Sequence, residues 1–403
     1  LKDFVFKYED LLGKEIWDVL DEKIQEEPGA FLSAINSYAT RKKNIRIYLL
    51  IDEYDNFTNT ILSTYGTEFY RKATHGEGFI RGFFNVIKSA TTGTGAALER
   101  LFITGVSPVT MDDVTSGFNI GTNITNDSWF NDLVGFSENE LREMLEYYKE
   151  QGVLQESIDE IVAMMKPNYD NYCFSEDTLE QCMFNSDMAL YFLKSFVLHH
   201  KKPKEIVDPN IRTDFNKLAY LIKLDHGLGE NFSVIKEIAE QGEIITDIVT
   251  HFFALEMTDP SNFKSLLFYF GLLSIKGVDM VGRPILHVPN LVVREQLFNF
   301  LIQGYIKHDI FKIDMNKMSA LFENMAFRGD WKPLFDFIAN AVREQSRIRE
   351  YIEGEAHIKG FLLAYLGMYR YYQLYPEYEL NKGFADFFFK PSLSVPVLPP
   401  FTY

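Results

Sequence analysis

The chain has 403 residues, 46 % hydrophobic and 24 % charged, the balance of a globular protein of two or three domains. A net charge of −17 repels a phosphate backbone across the molecule as a whole and leaves only a local basic groove as a nucleic-acid site. No run of about 18 uncharged apolar residues occurs, which argues against a membrane span, and the two cysteines, Cys173 and Cys182, fit no disulfide framework or zinc spacing and read as buried thiols of a reducing cytoplasm.

In chain order, helical spacing around residues 14–40 leads to a segment at 47–55 that reads Ile-Tyr-Leu-Leu-Ile-Asp-Glu-Tyr-Asp. An apolar run without alternation suits a strand buried on both faces of a parallel sheet. It closes on two adjacent carboxylates, Asp52 and Glu53, at the strand end where open α/β sheets bind ligands. An Asp there can hold Mg²⁺, directly or through water, and a neighbouring Glu can orient or deprotonate an attacking water. That is the pattern of a Walker B strand in an ATPase, and a buried strand that merely ends in two solvated acids has the same sequence. A helical stretch at 79–98 precedes a second short apolar strand at 101–106, which ends in Thr104, Gly105 and Ser107. A small polar residue beside a Walker B strand suits contact with a γ-phosphate or the lytic water. Residues 107–130, rich in Thr, Ser, Asn and Gly, read as a long loop.

At Ser137 the pattern changes. Ser137 and Glu140 form a capping box ahead of Leu141, Met144, Leu145 and Tyr148, spaced for an amphipathic helix. From there to about residue 345 the spacing is mostly helical, and the strand signal is confined to residues 283–293, where a short hairpin arm is expected. Helices followed by a small β-ribbon fit a lid with a winged-helix-like region, and a plain helical bundle equally well. His199 and His200, followed by Lys201, Lys202 and Lys204, read as a helix end or as a phosphate-contacting patch. Near the C-terminus Ile358, Phe361, Leu362, Tyr365, Leu366 and Tyr369 mark another amphipathic helix. A hairpin follows, from 375–380 through a turn at 381–383 to 384–389, with Asp386 inside an otherwise apolar strand. A charge in that position is costly unless paired, bound to a metal, or at the open edge of a site. The chain begins at Leu1 rather than Met and ends on residues that look like the approach to a strand, so it reads as cut at both ends.

Together these residues resemble a family of bacterial proteins with an AAA-ATPase-like N-terminal domain and a C-terminal PD-(D/E)XK nuclease-like domain. The resemblance is carried by the strand end at 49–55, residues 102–107, the helix start at 136–140, residues 169–174 with Asn185 and Ser186, and the helix and hairpin from Glu355 to Asp386. It implies an α/β plus mostly α architecture in three parts. Residues 1–135 would be a P-loop NTPase-like parallel sheet, 136–345 a helical lid and winged-helix-like region, and 346–403 the start of a nuclease-like α/β domain. It further implies ATP and Mg²⁺ as cofactors, with Asp52 on the metal, Glu53 as the catalytic residue on the water, and Thr104 or Ser107 on the γ-phosphate. No Gly-x-x-x-x-Gly-Lys-Ser/Thr run occurs, so the phosphate-binding loop is expected upstream of Leu1. In the nuclease half the resemblance makes Glu355 and Asp386 the first two acids around a divalent metal, with a Glu-x-Lys strand expected after Tyr403. The implied function is an ATP-driven switch coupled to a nuclease-like domain acting on nucleic acid in the cytoplasm. The alternatives are a non-catalytic interaction protein on a degenerate ATPase scaffold, and a nuclease whose ATPase half only assembles homo-oligomers.

Overall fold

The computed structural model describes residues 2–20, 24, 27–43, 45–76, 78–91, 96–106, 121–203, 205–208, 230–257, 259–307, 311–345, 355–369, 371–380 and 383–391. The chain divides into two compact units, Leu1–Ile124 with Val249–Phe270, and Thr125–Ile248 with Gly271–Tyr403.

In the first unit α1 (Pro28–Tyr38) begins on Pro28, whose fixed φ suits a first helical position, and buries Phe31, Leu32, Ile35 and Tyr38. Strand β1 (Ile47–Ile51), helices α2 (Asn56–Thr74) and α3 (Phe79–Thr91) and strand β2 (Leu98–Ile103) follow. Helix α3 carries Ile80, Phe84, Ile87 and Ala90 at three-and-four spacing and packs that stripe toward α1 and β2. The Asn36 Oδ1 of α1 accepts from the backbone N–H groups of Ala97 and Leu98 at 3.0 and 3.1 Å, which fixes where β2 begins. The strands pair in parallel, with Tyr48 opposite Arg100, Leu50 opposite Phe102 and Ile51 opposite Ile103.

The two strands and a helix beginning at residue 79 therefore follow the sequence expectation, although that helix ends at Thr91, β2 starts and ends three residues earlier than 101–106, and α2 is a helix the sequence reading did not contain. Burial of β1 on both faces does not hold. Ile47 and Leu98 are buried, yet Tyr48 is 61 % exposed, Leu50 75 % and Phe102 43 %. The pleat sends alternate side chains to opposite faces, and among the described residues the face of Tyr48, Leu50 and Phe102 is uncovered. On that face the Arg100 guanidinium lies 5.6 Å from the Tyr48 ring centroid.

The second unit opens with α4 (Glu138–Glu150), α5 (Ile158–Tyr169) and α6 (Ser186–His199). The capping box is present: Ser137 Oγ accepts from the Glu140 N–H, and Glu140 accepts from the Ser137 N–H. Leu141, Leu145, Ile161, Met165, Phe184, Phe192 and Phe196 form the core beneath, with Met144 and Tyr148 packed against it. After α7 (Glu230–Gln241) come β3 (Glu243–Ile245), β4 (Ser274–Val278) and β5 (Pro284–His287), an antiparallel sheet in the order β3-β5-β4. The hairpin arm expected near 283–293 is thus the central strand β5 with β4 before it.

Helices α8 (Leu291–Lys307), α9 (Met315–Arg328), α10 (Lys332–Glu344) and α11 (Glu355–Gly367) lead to the antiparallel hairpin of β6 (Tyr372–Leu380) and β7 (Gly383–Pro391). Helices α7, α8 and α11 pack closely, with side chains of one helix seated on glycines of another. A Cβ at Gly304 or Gly367 would lie 2.4 Å from a ring carbon of Phe232 or Phe298, and one at Gly360 2.5 Å from Lys236 Cε. Around them Tyr305, Phe311, Phe361 and Tyr365 pack ring to ring, and the Tyr365 hydroxyl donates to the Phe311 carbonyl at 3.0 Å. Among the described residues no helix is long and apolar enough to cross a membrane.

Candidate functional site

Beyond the last paired residues of β1 and β2 the two chain ends stay clasped. The Thr104 N–H donates to the Ile51 carbonyl at 2.8 Å, and the Tyr54 N–H donates to the Thr104 carbonyl at 3.0 Å. Within that clasp the Thr104 hydroxyl donates to Asp52 Oδ1. The Glu53 N–H donates to the same oxygen at 3.0 Å. Glu53 has a φ of +50°, a left-handed conformation that non-glycine residues adopt at a cost. It turns the chain out of the strand and into α2, and Glu53 Oε2 accepts from Asn56 Nδ2 at 3.2 Å. Asp52 and Glu53 are both exposed.

Two further residues shape this end. Asp55 is 3 % exposed, and its Oδ1 accepts from the Val106 N–H at 3.0 Å. Gly105 leaves room for no side chain: a Cβ there would stand 2.3 Å from the Tyr54 ring and 2.8 Å from Asp55 Oδ1. The structure thus brings Asp52, Glu53 and Thr104 together at the carboxyl ends of parallel strands. Ser107 lies outside the described residues.

The second candidate region is the C-terminal hairpin. Asp386 sits on β7 with its side chain 73 % exposed, and Lys359 Nζ of α11 is 3.3 Å from its Oδ1. The charge that sequence reasoning found costly in an apolar strand is therefore paired and faces water. Helix α11 starts at Glu355, whose side chain is outside the described residues.

Comparison with known proteins assigns both ends. Residues 1–115 match the AAA-ATPase-like family, described as predicted AAA-ATPases, and residues 353–397 match the PD-(D/E)XK nuclease superfamily. The chain joins an AAA-ATPase-like segment to a PD-(D/E)XK nuclease-like one. The first match encloses Asp52, Glu53, Thr104 and Ser107, and the second encloses Glu355 and Asp386. No curated protein and no solved structure matches the chain.

The two segments differ in what they offer a metal ion. Mg²⁺ keeps several waters and takes one or two carboxylates along with substrate phosphates. The exposed Asp52 of the AAA-ATPase-like segment, already oriented by two donors, fits a donor set of that kind. Among the described residues no three His, Cys, Asp or Glu side chains gather as an all-protein metal site. Asp386 of the nuclease-like segment has a lysine ammonium beside it, and the side chain of Glu355, its expected fellow ligand, lies outside the described residues.

Sequence reasoning named Asp55 and Gly105 without giving either a role, and missed Lys359. An acid immediately ahead of a helix is a start signal, and that signal marks Asp55. The cross-strand use of its carboxylate and the crowding at Gly105 arise only once the two strand ends meet. The remaining candidates take their structural readings. His200 closes α6 in a left-handed conformation with its Nδ1 3.1 Å from Glu156 Oε1. Burial pushes the Cys173 thiol up and the Cys182 thiol to about 11, so neither is a thiolate near neutral pH.

Proposed function

We propose that Asp52, Glu53 and Thr104 are the metal- and water-facing side of an ATPase centre whose turnover repositions the nuclease-like end of the protein. One observation carries this reading. The Thr104 hydroxyl of one strand end bonds the Asp52 carboxylate of the other, with Glu53 next in the chain, all inside the AAA-ATPase-like match. Mg²⁺ bound with ATP would supply neutralisation of the phosphate charge. Asp52 would hold the ion, directly or through water. Glu53 would take a proton from the attacking water, its left-handed backbone holding it apart from Asp52. Thr104, and Ser107 three residues on, would register the γ-phosphate. The 403 residues contain no Gly-x-x-x-x-Gly-Lys-Ser/Thr run, so they supply this side of the centre and no phosphate cradle of that type.

In this reading residues 136–345 act as the lid and winged-helix-like region. The antiparallel order β3-β5-β4, following α7 in the chain, supports it. Nucleic acid is the partner of the C-terminal segment, and the cytoplasm the place of action. Glu53→Gln in the natural full-length protein tests the centre: steady ATP turnover disappears and ATP binding remains. Unchanged turnover sinks the assignment.

One observation favours the non-catalytic alternative. Trp129, Leu133 and Val134 are 88 %, 56 % and 58 % exposed. They flank Asn131, whose side chain donates to the Gln181 carbonyl at 2.9 Å and accepts from the Phe174 N–H at 3.0 Å. Apolar residues held rigidly in water suit a protein partner. A full-length wild-type protein that binds no nucleotide decides for this second reading.

A further inference from the structure

We infer that Asp55 is a positioning residue for the Asp52–Thr104 pair, acting through the backbone of Val106, an inference that rests on the ATPase reading above. Its place ahead of α2 suggests a helix cap, but its side chain makes no capping hydrogen bond to α2. The carboxylate instead reaches across to the other strand end and accepts from the Val106 N–H at 3.0 Å while buried to 3 % exposure. Burying a carboxylate is costly unless it is hydrogen-bonded, so the contact accounts for the group's placement.

Three bonds then bracket Thr104. Its own N–H is held by Ile51, its carbonyl by the Tyr54 N–H, and the Val106 N–H by Asp55. The backbone on either side of Thr104 is pinned, so the Cα–Cβ bond that carries its hydroxyl is held in place beside Asp52. Gly105 completes the arrangement, because the Tyr54 ring and Asp55 Oδ1 fill the space where a Cβ would stand. Without the Asp55 acceptor, the Val106 N–H loses its tie and one of the three bonds of the bracket is gone. The hydroxyl then wanders relative to Asp52, and the reacting geometry loosens with no loss of a group that touches substrate.

The experiment uses the natural full-length protein with Mg²⁺ and ATP as probes. Asp55→Ala lowers kcat about 10- to 100-fold, the scale on which a displacement of about 1 Å acts. KM for ATP stays within about threefold, since ground-state binding is not the interaction removed. Asp55→Asn keeps an acceptor oxygen for Val106 and restores at least about a third of the lost turnover, the neutral amide accepting as the carboxylate does. In the Thr104→Ala background Asp55→Ala adds less than about twofold, because two residues acting as one unit are not additive. Full additivity, or an Asp55→Ala turnover equal to wild type, overturns the inference. Should Asp55→Ala not fold, Asp55→Ser, whose hydroxyl stops short of Val106, is read the same way. A wild-type protein without turnover sinks the ATPase reading alone. The positioning role is then judged by amide exchange at Val106, which Asp55→Ala must speed and Asp55→Asn must not, and equal exchange in all three proteins overturns it.

Discussion

The strand ends near Asp52 and the hairpin near Asp386 each hold an exposed aspartate, and they are built in opposite ways. Around Asp52 the donors are a hydroxyl and a backbone N–H, the next acid is itself in the left-handed conformation that turns it aside, and a buried carboxylate holds the facing strand end at Val106. Around Asp386 the neighbour is the ammonium of a largely covered lysine from α11, facing an aspartate that stands in water. Neutral donors fix where a carboxylate points and leave its charge available to an incoming cation. An ammonium contributes that charge compensation itself. The first arrangement is organised toward something from outside; the second is satisfied from within.

The sharpest way to break this contrast is at Glu53. Loss of a water-activating base costs on the order of 10²- to 10⁴-fold in turnover, so Glu53→Gln should silence a steady-state ATPase assay of the full-length protein. Next comes packing. Gly105→Ala forces the Tyr54 ring to shift and is expected to cost about 1–3 kcal/mol in denaturant unfolding, in line with overpacking elsewhere. Gly383→Ala at the start of β7 meets nothing within 4 Å and should stay within about 0.5 kcal/mol. Equal costs would erase the difference in how the two regions are built.

A better-connected ion pair calibrates the C-terminal one. Glu138 accepts from Lys166 at 2.8 Å and Arg142 at 2.9 Å, and those two cations, Lys166 first, hold its carboxyl below the usual glutamate value. A carboxyl depressed in the folded state adds stability that is present above its unfolded pKa and lost as pH falls through the folded one. Glu138→Gln should therefore be less stable than wild type near neutral pH, with the gap closing on acidification; a constant gap across that range removes the linkage. The smallest effect is expected at Lys359→Ala. Its pair with Asp386, whose carboxylate stands in water, is worth about 1 kcal/mol or less and should fade with added salt, which unfolding at two ionic strengths measures.

Much of this architecture is legible in the sequence because it depends on neighbours in the chain. The capping box at Ser137, the carboxylates at the end of β1 and the two arms of the C-terminal hairpin are local patterns, and each stands where the pattern puts it. The errors are non-local. Tyr48, Leu49, Leu50 and Ile51 form one apolar run, and nothing in that run tells whether both faces of the strand are covered. The start of β2 depends on Asn36, more than sixty residues earlier, which binds the Ala97 and Leu98 amides. Strand β3 is three residues long, too short for a period to show, and exists by pairing with β5. Asp55 reads as one more acid in a polar turn until the opposite strand end arrives.

The close approach of α7, α8 and α11 has a mechanical consequence. Where a glycine takes a neighbouring helix's side chain directly on its backbone, one layer of side chains separates the two helices instead of two interleaved ones. Gly360 sits against Lys236 and Glu240 of α7, and Gly367 against Phe298 of α8. The helix that carries Lys359, one turn ahead of the residues packing the aromatic cluster, is thus seated like a key in its slot. A tilt of α7 or α8 is therefore felt by α11 through the side chains of Lys236 and Phe298 that rest on its glycines. The helix that opens the nuclease-like segment takes its bearing from the two helices before it.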